Sequence, residues 1–147
     1  TDVDGTIDYI QTYTYAYDED GNRTLYMRED DTDADGTLDF IQTYTTAYDE
    51  DGNRTLQVYE GDYDADGTAN YIYTTTTTYD EDGNQTLEVQ ENDSNGDGTI
   101  NSFYTTTYTY DTDGNQTLRV QEQDTNGDGT LDRIYTNTYS DYVWVCY

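Results

Sequence analysis

The sequence predicts an all-β protein in which 31-residue tandem repeats each form a β-hairpin and acidic loops join one hairpin to the next in an antiparallel meander. Three observations predict it. Asp2, Asp33, Asp64, Asn95 and Asn126 occupy equivalent places spaced 31 residues apart, with no insertion between copies. Within each copy, side chains alternate with period two over segments rich in Thr, Tyr, Ile and Val, as in Leu38 to Tyr48. Glycine-centred turns separate successive segments.

Repeats cover about 1–30, 31–61, 62–92, 93–123 and 124–141, and the apolar stretch 142–147 departs from the pattern as a divergent C-terminal strand. Each unit runs in the same order. An acidic loop comes first, then a longer Thr/Tyr strand with Leu38, Phe40, Gln42, Tyr44, Thr46 and Tyr48 on one face and Asp39, Ile41, Thr43, Thr45 and Ala47 on the other. A D-x-D-G-N turn follows, as in Asp49 to Asn53, where the glycine takes positive φ and the flanking Asp and Asn bond back to the backbone. A shorter strand, Arg54 to Glu60 for example, then carries the recurring Leu25, Leu56, Leu87 and Leu118. Five long and four short strands make a nine-stranded expectation. A β-solenoid with one coil per repeat is the alternative, and it would stack equivalent strands at about 4.8 Å instead of about 9.6 Å.

Charge and composition exclude several classes of function. With 33 acidic and 5 basic residues in 147, the net charge of -28 repels nucleic acid and anionic membrane and attracts cations. No run approaches the ~18 apolar residues of a membrane span, and no basic-then-apolar leader opens the chain, which therefore reads as a mature or excised form. Histidine is absent and Cys146 is the single cysteine, so the sequence supplies neither a zinc cluster nor a disulfide framework. Only 32% of residues are hydrophobic, so folding is expected to require neutralisation of the acidic loops.

Those loops place oxygen side chains at alternate positions and then bend at glycine. The columns are Glu29, Asp31, Asp33, Asp35, Asp39; Glu60, Asp62, Asp64, Asp66, Asn70; Glu91, Asp93, Asn95, Asp97, Asn101; and Glu122, Asp124, Asn126, Asp128, Asp132, with Asp2, Asp4 and Asp8 left in a shortened first copy. Turn chemistry alone needs one or two acids. At ~5 Å and an effective dielectric of ~20, each like-charge pair costs on the order of 3 kcal/mol, which a bound cation would relieve. Oxygen-only donors and a flexible loop favour structural Ca2+, about one per loop, over magnesium.

The loops Asp31-Thr-Asp-Ala-Asp-Gly-Thr-Leu-Asp39 and Asp124-Thr-Asn-Gly-Asp-Gly-Thr-Leu-Asp132 resemble the D-x-[DN]-x-D-G calcium loops of EF-hands, dockerins and thrombospondin type 3 repeats. That resemblance implies ligands at Asp31, Asp33 and Asp35, a bend at Gly36 and a backbone-carbonyl ligand at Thr37, with Thr68, Thr99 and Thr130 in the same role. An EF-hand closes its shell with a glutamate where this chain has Gln11, Gln42, Tyr73, Tyr104 or Tyr135. Two columns remain open as substitutes, Asp8/Asp39/Asn70/Asn101/Asp132 after the bend and Glu29/Glu60/Glu91/Glu122 before the loop. Separately, Tyr48 to Asn53 and Thr109 to Asn115 resemble the YD repeats of Rhs and teneurin-type shells, which implies an extracellular β-meander.

Asn22, Asn53, Asn84 and Asn115 each open an Asn-x-Thr triplet, the acceptor sequence for N-linked glycans in a secreted protein. Threonine columns Thr12, Thr43, Thr74, Thr105, Thr136 and Thr14, Thr45, Thr76, Thr107, Thr138 share the face opposite most tyrosines. Strand propensity accounts for them, O-glycosylation is a second use, and ice binding a third if the threonines stack closely. The tyrosine face suits sheet packing, a partner or carbohydrate. In the tail, Val143, Trp144, Val145, Cys146 and Tyr147 point apolar groups both ways and are assigned to subunit contact. No nucleophile–base pair or phosphate loop appears. The expectation is a non-catalytic, extracellular, calcium-stabilised glycoprotein that assembles with itself into a filament or surface layer; a carbohydrate- or surface-binding adhesin is the alternative, and salt adaptation alone is a third reading.

Overall fold

The computed structural model describes residues 7–139. Nine antiparallel strands form one open sheet in sequence order: β1 (Ile10–Tyr17), β2 (Arg23–Asp31), β3 (Phe40–Tyr48), β4 (Arg54–Asp62), β5 (Tyr71–Tyr79), β6 (Gln85–Asp93), β7 (Ser102–Tyr110), β8 (Gln116–Asp124) and β9 (Arg133–Thr138). The meander holds and the solenoid does not: equivalent strands lie two apart. The threonine columns therefore recur at about 9.6 Å, without the close stacking an ice-binding face needs. No helix is long and apolar enough to cross a membrane among the described residues.

One boundary differs from the sequence reading. The strands expected to be short are nine residues long, because β2, β4, β6 and β8 run through the glutamate to Asp31, Asp62, Asp93 and Asp124. Ladder pairing carries them there, since Asp62 lies opposite Ile41 and Asp93 opposite Ile72. The first aspartate of each acidic loop is thus the last residue of a strand.

Each D-x-D-G-N turn closes its hairpin through an aspartate. Asp49 Oδ1 accepts the N–H groups of Asp51 at 3.1 Å and Asn53 at 2.8 Å, while Asn53 Nδ2 donates to Oδ2 at 3.1 Å. Asp18, Asp80 and Asp111 repeat the arrangement. A register shift follows at Ala47/Tyr48, where two residues of β4 face one of β3, and it recurs at Ala16/Tyr17, Thr78/Tyr79 and Thr109/Tyr110. Beside it, Tyr48, Tyr79 and Tyr110 donate their hydroxyls to the carbonyls of Arg23, Arg54 and Gln85 in the preceding hairpin, at 3.3, 3.2 and 2.8 Å. Consecutive hairpins are thereby stapled at their turn ends.

The sheet is also sheared. Thr45 pairs with Val58, which pairs with Thr74, so the pairing advances 29 residues per repeat while the sequence advances 31. Each repeat is offset from the last by two residues, roughly 7 Å along the strands.

Among the described residues no hydrophobic side chain is buried. A single layer leaves both faces open, so order comes from the ladder and from cross-strand pairs. One face carries the threonine columns with Leu25, Leu56, Leu87 and Leu118, because Thr45 faces Leu25 and Val58 across the strands. The other carries the tyrosines. Rings of Tyr13 and Tyr15 meet Tyr26 at 6.1 and 5.6 Å, Tyr26 meets Tyr44 at 5.8 Å, Tyr44 meets Tyr59 at 4.9 Å, and Tyr59 meets Tyr71 at 5.7 Å. Beyond β5 this ladder stops, since Glu88 and Gln90 on β6 and Arg119 and Gln121 on β8 stand where β2 and β4 offer Tyr26 and Tyr59.

Candidate metal centre at the acidic loops

Burial is concentrated at carboxylates. Asp31, Asp62, Asp93 and Asp124 are 4%, 7%, 3% and 0% exposed, although an unpaired buried carboxylate is among the costliest groups to bury. The loop folds over each one and supplies backbone donors. Gly36 N–H donates to Asp31 Oδ2 at 2.9 Å, Gly67 N–H to Asp62 Oδ2 at 2.9 Å, Gly98 N–H to Asp93 Oδ2 at 2.7 Å and Gly129 N–H to Asp124 Oδ2 at 2.7 Å. This geometry needs the glycine bend, because Gly36, Gly67, Gly98 and Gly129 take φ of 93°, 91°, 86° and 83°.

Two further columns hold the loop shape. Asp35, Asp66, Asp97 and Asp128 accept the N–H of Thr37, Thr68, Thr99 and Thr130 at 2.7 to 2.8 Å. At the neck, Asp39, Asn70, Asn101 and Asp132 accept the N–H of Thr32, Tyr63, Ser94 and Thr125 at 2.6 to 2.8 Å. Their own N–H groups donate back to the carbonyls of Asp30, Gly61, Asn92 and Gln123. That column works as a latch, and in Asn70 and Asn101 the side-chain oxygen is the latch acceptor.

Carboxylates gather in two of the loops. One oxygen from each of Asp31, Asp33 and Asp39 lies within 4.8 Å of the others, and the same holds for Asp62, Asp64 and Asp66. Neither triad includes the preceding glutamate. Glu60 instead lines, with Asp62, Ile41, Thr43, Gly67 and Ala69, a cavity of about 180 Å³ on the threonine face beside the loop. Asp62 Oδ1 is buried and accepts no hydrogen bond among the described residues. Burial acts to raise the Asp62 pKa, but the Gly67 N–H and the rest of the loop hold the carboxyl below its ordinary value, in the charged form.

The loops 93–101 and 124–132 satisfy themselves differently. Asn95 Nδ2 donates to Asp97 Oδ2 at 2.9 Å and Asn126 Nδ2 to Asp128 Oδ2 at 3.2 Å. Asp93 Oδ1 accepts Gly96 N–H at 2.8 Å and Asp124 Oδ1 accepts Gly127 N–H at 2.7 Å. Gly96 and Gly127 also lie against the preceding loop, where a Cβ would collide with the carbonyls of Ala69 and Ile100. The two-residue shear brings that position over the neighbour's exit.

Asp8 is exposed and has a partner, while Asp2 and Asp4 lie outside the described residues, as do Val143, Trp144, Val145, Cys146 and Tyr147. Thr14, Thr45, Thr76, Thr107 and Thr138 are exposed, as are Thr12 and Thr136 on the outer strands; Thr43, Thr74 and Thr105 are half-buried opposite Glu60, Glu91 and Glu122. All four Asn-x-Thr asparagines are engaged by turn aspartates, and Thr55, Thr86 and Thr117 donate across the bulge to Ala47, Thr78 and Thr109.

Sequence reasoning missed the place of Tyr26 and Tyr59 at the centre of the aromatic ladder. Strict alternation with Leu25 and Met27, and with Leu56 and Val58, was the available signal. It also missed Tyr63, whose ring stacks on Phe40 at 5.8 Å and 4° and lies across Gly61; a Cβ there would sit 2.8 Å from Tyr63 Cε1. Gly61 standing where other repeats have Asp30, Asn92 and Gln123 was the clue. No protein-family model, curated protein or solved structure matches the chain.

Proposed function

We propose that the chain is a secreted, non-catalytic structural repeat protein whose acidic loops bind Ca2+ and whose sheet assembles with further copies into an extracellular filament or surface layer. The observation that carries the cation is Asp62: a carboxylate 7% exposed, with one oxygen that no donor among the described residues reaches, beside Asp64 and Asp66. A hard divalent ion supplies what backbone donors do not, and three carboxylates suit calcium. The triads rank the loops 31–39 and 62–70 first for occupancy, ahead of the asparagine-containing pair. Assembly is supported by a sheet with no buried hydrophobic side chain among the described residues, since one layer gains little burial until something covers it. N-glycans at Asn22, Asn53, Asn84 and Asn115 and O-glycans on the exposed threonines belong to the same reading, and mass spectrometry of protein from its natural source checks them.

Calorimetric titration with calcium, magnesium and sodium tests the core of the proposal. Saturable calcium uptake with a rise in melting temperature supports it. Stabilisation by sodium chloride equal to that by calcium points to salt adaptation and overturns it. Electron microscopy with and without calcium then reads assembly.

An adhesin is the second reading, favoured by a groove of about 380 Å³ lined by Tyr44, Gln57, Tyr59, Tyr71 and Tyr73. Tilted phenol rings and one amide are a chemistry for neutral sugar. Saturable binding of neutral oligosaccharides that Tyr59→Ala abolishes, by a chain that stays monomeric, would favour it over the structural reading.

A further inference from the structure

On the tyrosine face, β6 and β8 differ at one position with a chemical consequence. In β6 the Glu88 carboxylate sits between two glutamines, accepting Gln85 Nε2 at 3.0 Å and Gln90 Nε2 at 2.6 Å. One repeat later the same three places hold Gln116, Arg119 and Gln121. The glutamines stay and the acceptor between them becomes a donor. Gln116 Nε2 and Arg119 Nε are buried, and no acceptor among the described residues reaches either. The guanidinium lies 5.9 Å from the centre of the Tyr108 ring. Arg28, on the same face, shows the ordinary solution: it is paired with Asp30.

A buried donor without an acceptor costs free energy that a bound acceptor recovers. Guanidinium offers a planar fork that matches a carboxylate, and the neighbouring repeat shows that this pair of glutamines accommodates a carboxylate between them. We propose that Gln116, Arg119 and Gln121 form a receptor for a carboxylate, brought either by an acidic side chain of a second copy of the chain or by a small free carboxylate. The receptor stands on these three residues and does not depend on calcium at the loops. With 33 acidic residues per chain, a second copy is a ready source.

Acetate titrated into the 15N-labelled full chain, read at the Arg119 Nε–H and Gln116 side-chain signals, tests the receptor. Sedimentation velocity over a concentration series identifies the source. Arg119→Glu is the matched variant, because it recreates the Gln85–Glu88–Gln90 arrangement and is expected to fold. A saturable acetate response in the natural chain, weakened at least about tenfold in Arg119→Glu as for loss of one charged hydrogen bond, supports the proposal with a free ligand. Self-association that acetate competes away and Arg119→Glu abolishes supports it with a second copy. No acetate response together with association unchanged by Arg119→Glu overturns it. Assembly that persists in the variant leaves the filament reading standing while this contact falls, so the two fail separately.

Discussion

The acidic loops come in two pairs that share a backbone plan and differ in how they balance charge. Loops 31–39 and 62–70 have Asp-Ala at their third and fourth positions; loops 93–101 and 124–132 have Asn-Gly. In the second pair an asparagine amide donates to the next aspartate and the glycine packs on the preceding loop. In the first pair three carboxylates converge without such a donor, and Ala34 and Ala65 are held at φ of 55° and 51°, a region that favours glycine. Ala65 carries a Cβ where Gly96 has none, and a Cβ does not fit the approach that Gly96 makes to Ala69. Two residues therefore separate a loop in which an asparagine amide engages a carboxylate from one in which three carboxylates converge.

Calcium gives the largest test of this contrast. At a free concentration a hundredfold above Kd, each occupied loop should add about 2.7 kcal/mol to stability, so two loops add about 5 kcal/mol. Titration of Asp64→Asn should remove one site, whereas Asn95→Asp should not remove any. Equal uptake by all four loops would erase the distinction.

Next in size is backbone space. Gly96→Ala should cost about 3 kcal/mol in urea unfolding, combining left-handed strain with overpacking against Ala69. Ala65→Gly should instead stabilise by about 0.5 to 1 kcal/mol, since strain is relieved and only chain entropy opposes it. A matching loss at both positions would mean that the loops stack alike.

The aromatic ladder sharpens the comparison on the other half of the same boundary, because it spans β1 to β5 and ends where the amide-bearing strands begin. Tyr59 packs between Tyr44 and Tyr71, and burial with its tyrosine neighbours raises its phenol to about 12. Tyr59→Ala should cost about 2 kcal/mol, less than for a fully buried ring. Gln90→Ala, at the equivalent place on β6, should cost under about 0.5 kcal/mol. Denaturation followed by tyrosine fluorescence measures both.

The smallest effect is one the two halves share. Burial pulls the turn carboxyls of Asp18 and Asp49 upward, but N–H groups of Asn22 and Asn53 hold them below the ordinary value; Asn84 and Asn115 do the same for Asp80 and Asp111. A depressed folded-state pKa stabilises above the unfolded value near about 4 and ceases to do so as pH falls through the lower folded one. Exchange protection of the Asn22, Asn53, Asn84 and Asn115 amides should fade together as the solution is acidified. Earlier loss in one half would show that the turns are not equivalent.

The strand order and hairpin turns were legible from the sequence because they are local. Period-two alternation sets the faces, and Asp-x-Asp-Gly-Asn sets a turn whose donors and acceptors lie within five residues. The loops were legible as acidic bends for the same reason, down to the oxygen columns. Which carboxylates meet was not legible, because that depends on where the strand ends, and the ladder carries Asp31 and Asp62 into the sheet before the loop begins. The role of Asp39 and Asn70 as neck latches likewise required the loop to be closed in space.

By itself, then, the sequence determined a meander of hairpins with acidic bends at one end and aspartate turns at the other. Only the tertiary structure decided that the repeats are not equivalent. The two-residue shear is common to the repeats, but only at Gly96 and Gly127 does a loop lie so close to its predecessor that a Cβ would collide with it. Cross-strand pairing lets Tyr26 and Tyr59 fill the gaps between rings, and it leaves Arg119 Nε buried with no acceptor among the described residues. Periodicity fixes what each repeat has in common, whereas contacts between neighbours act on the few positions where the repeats differ.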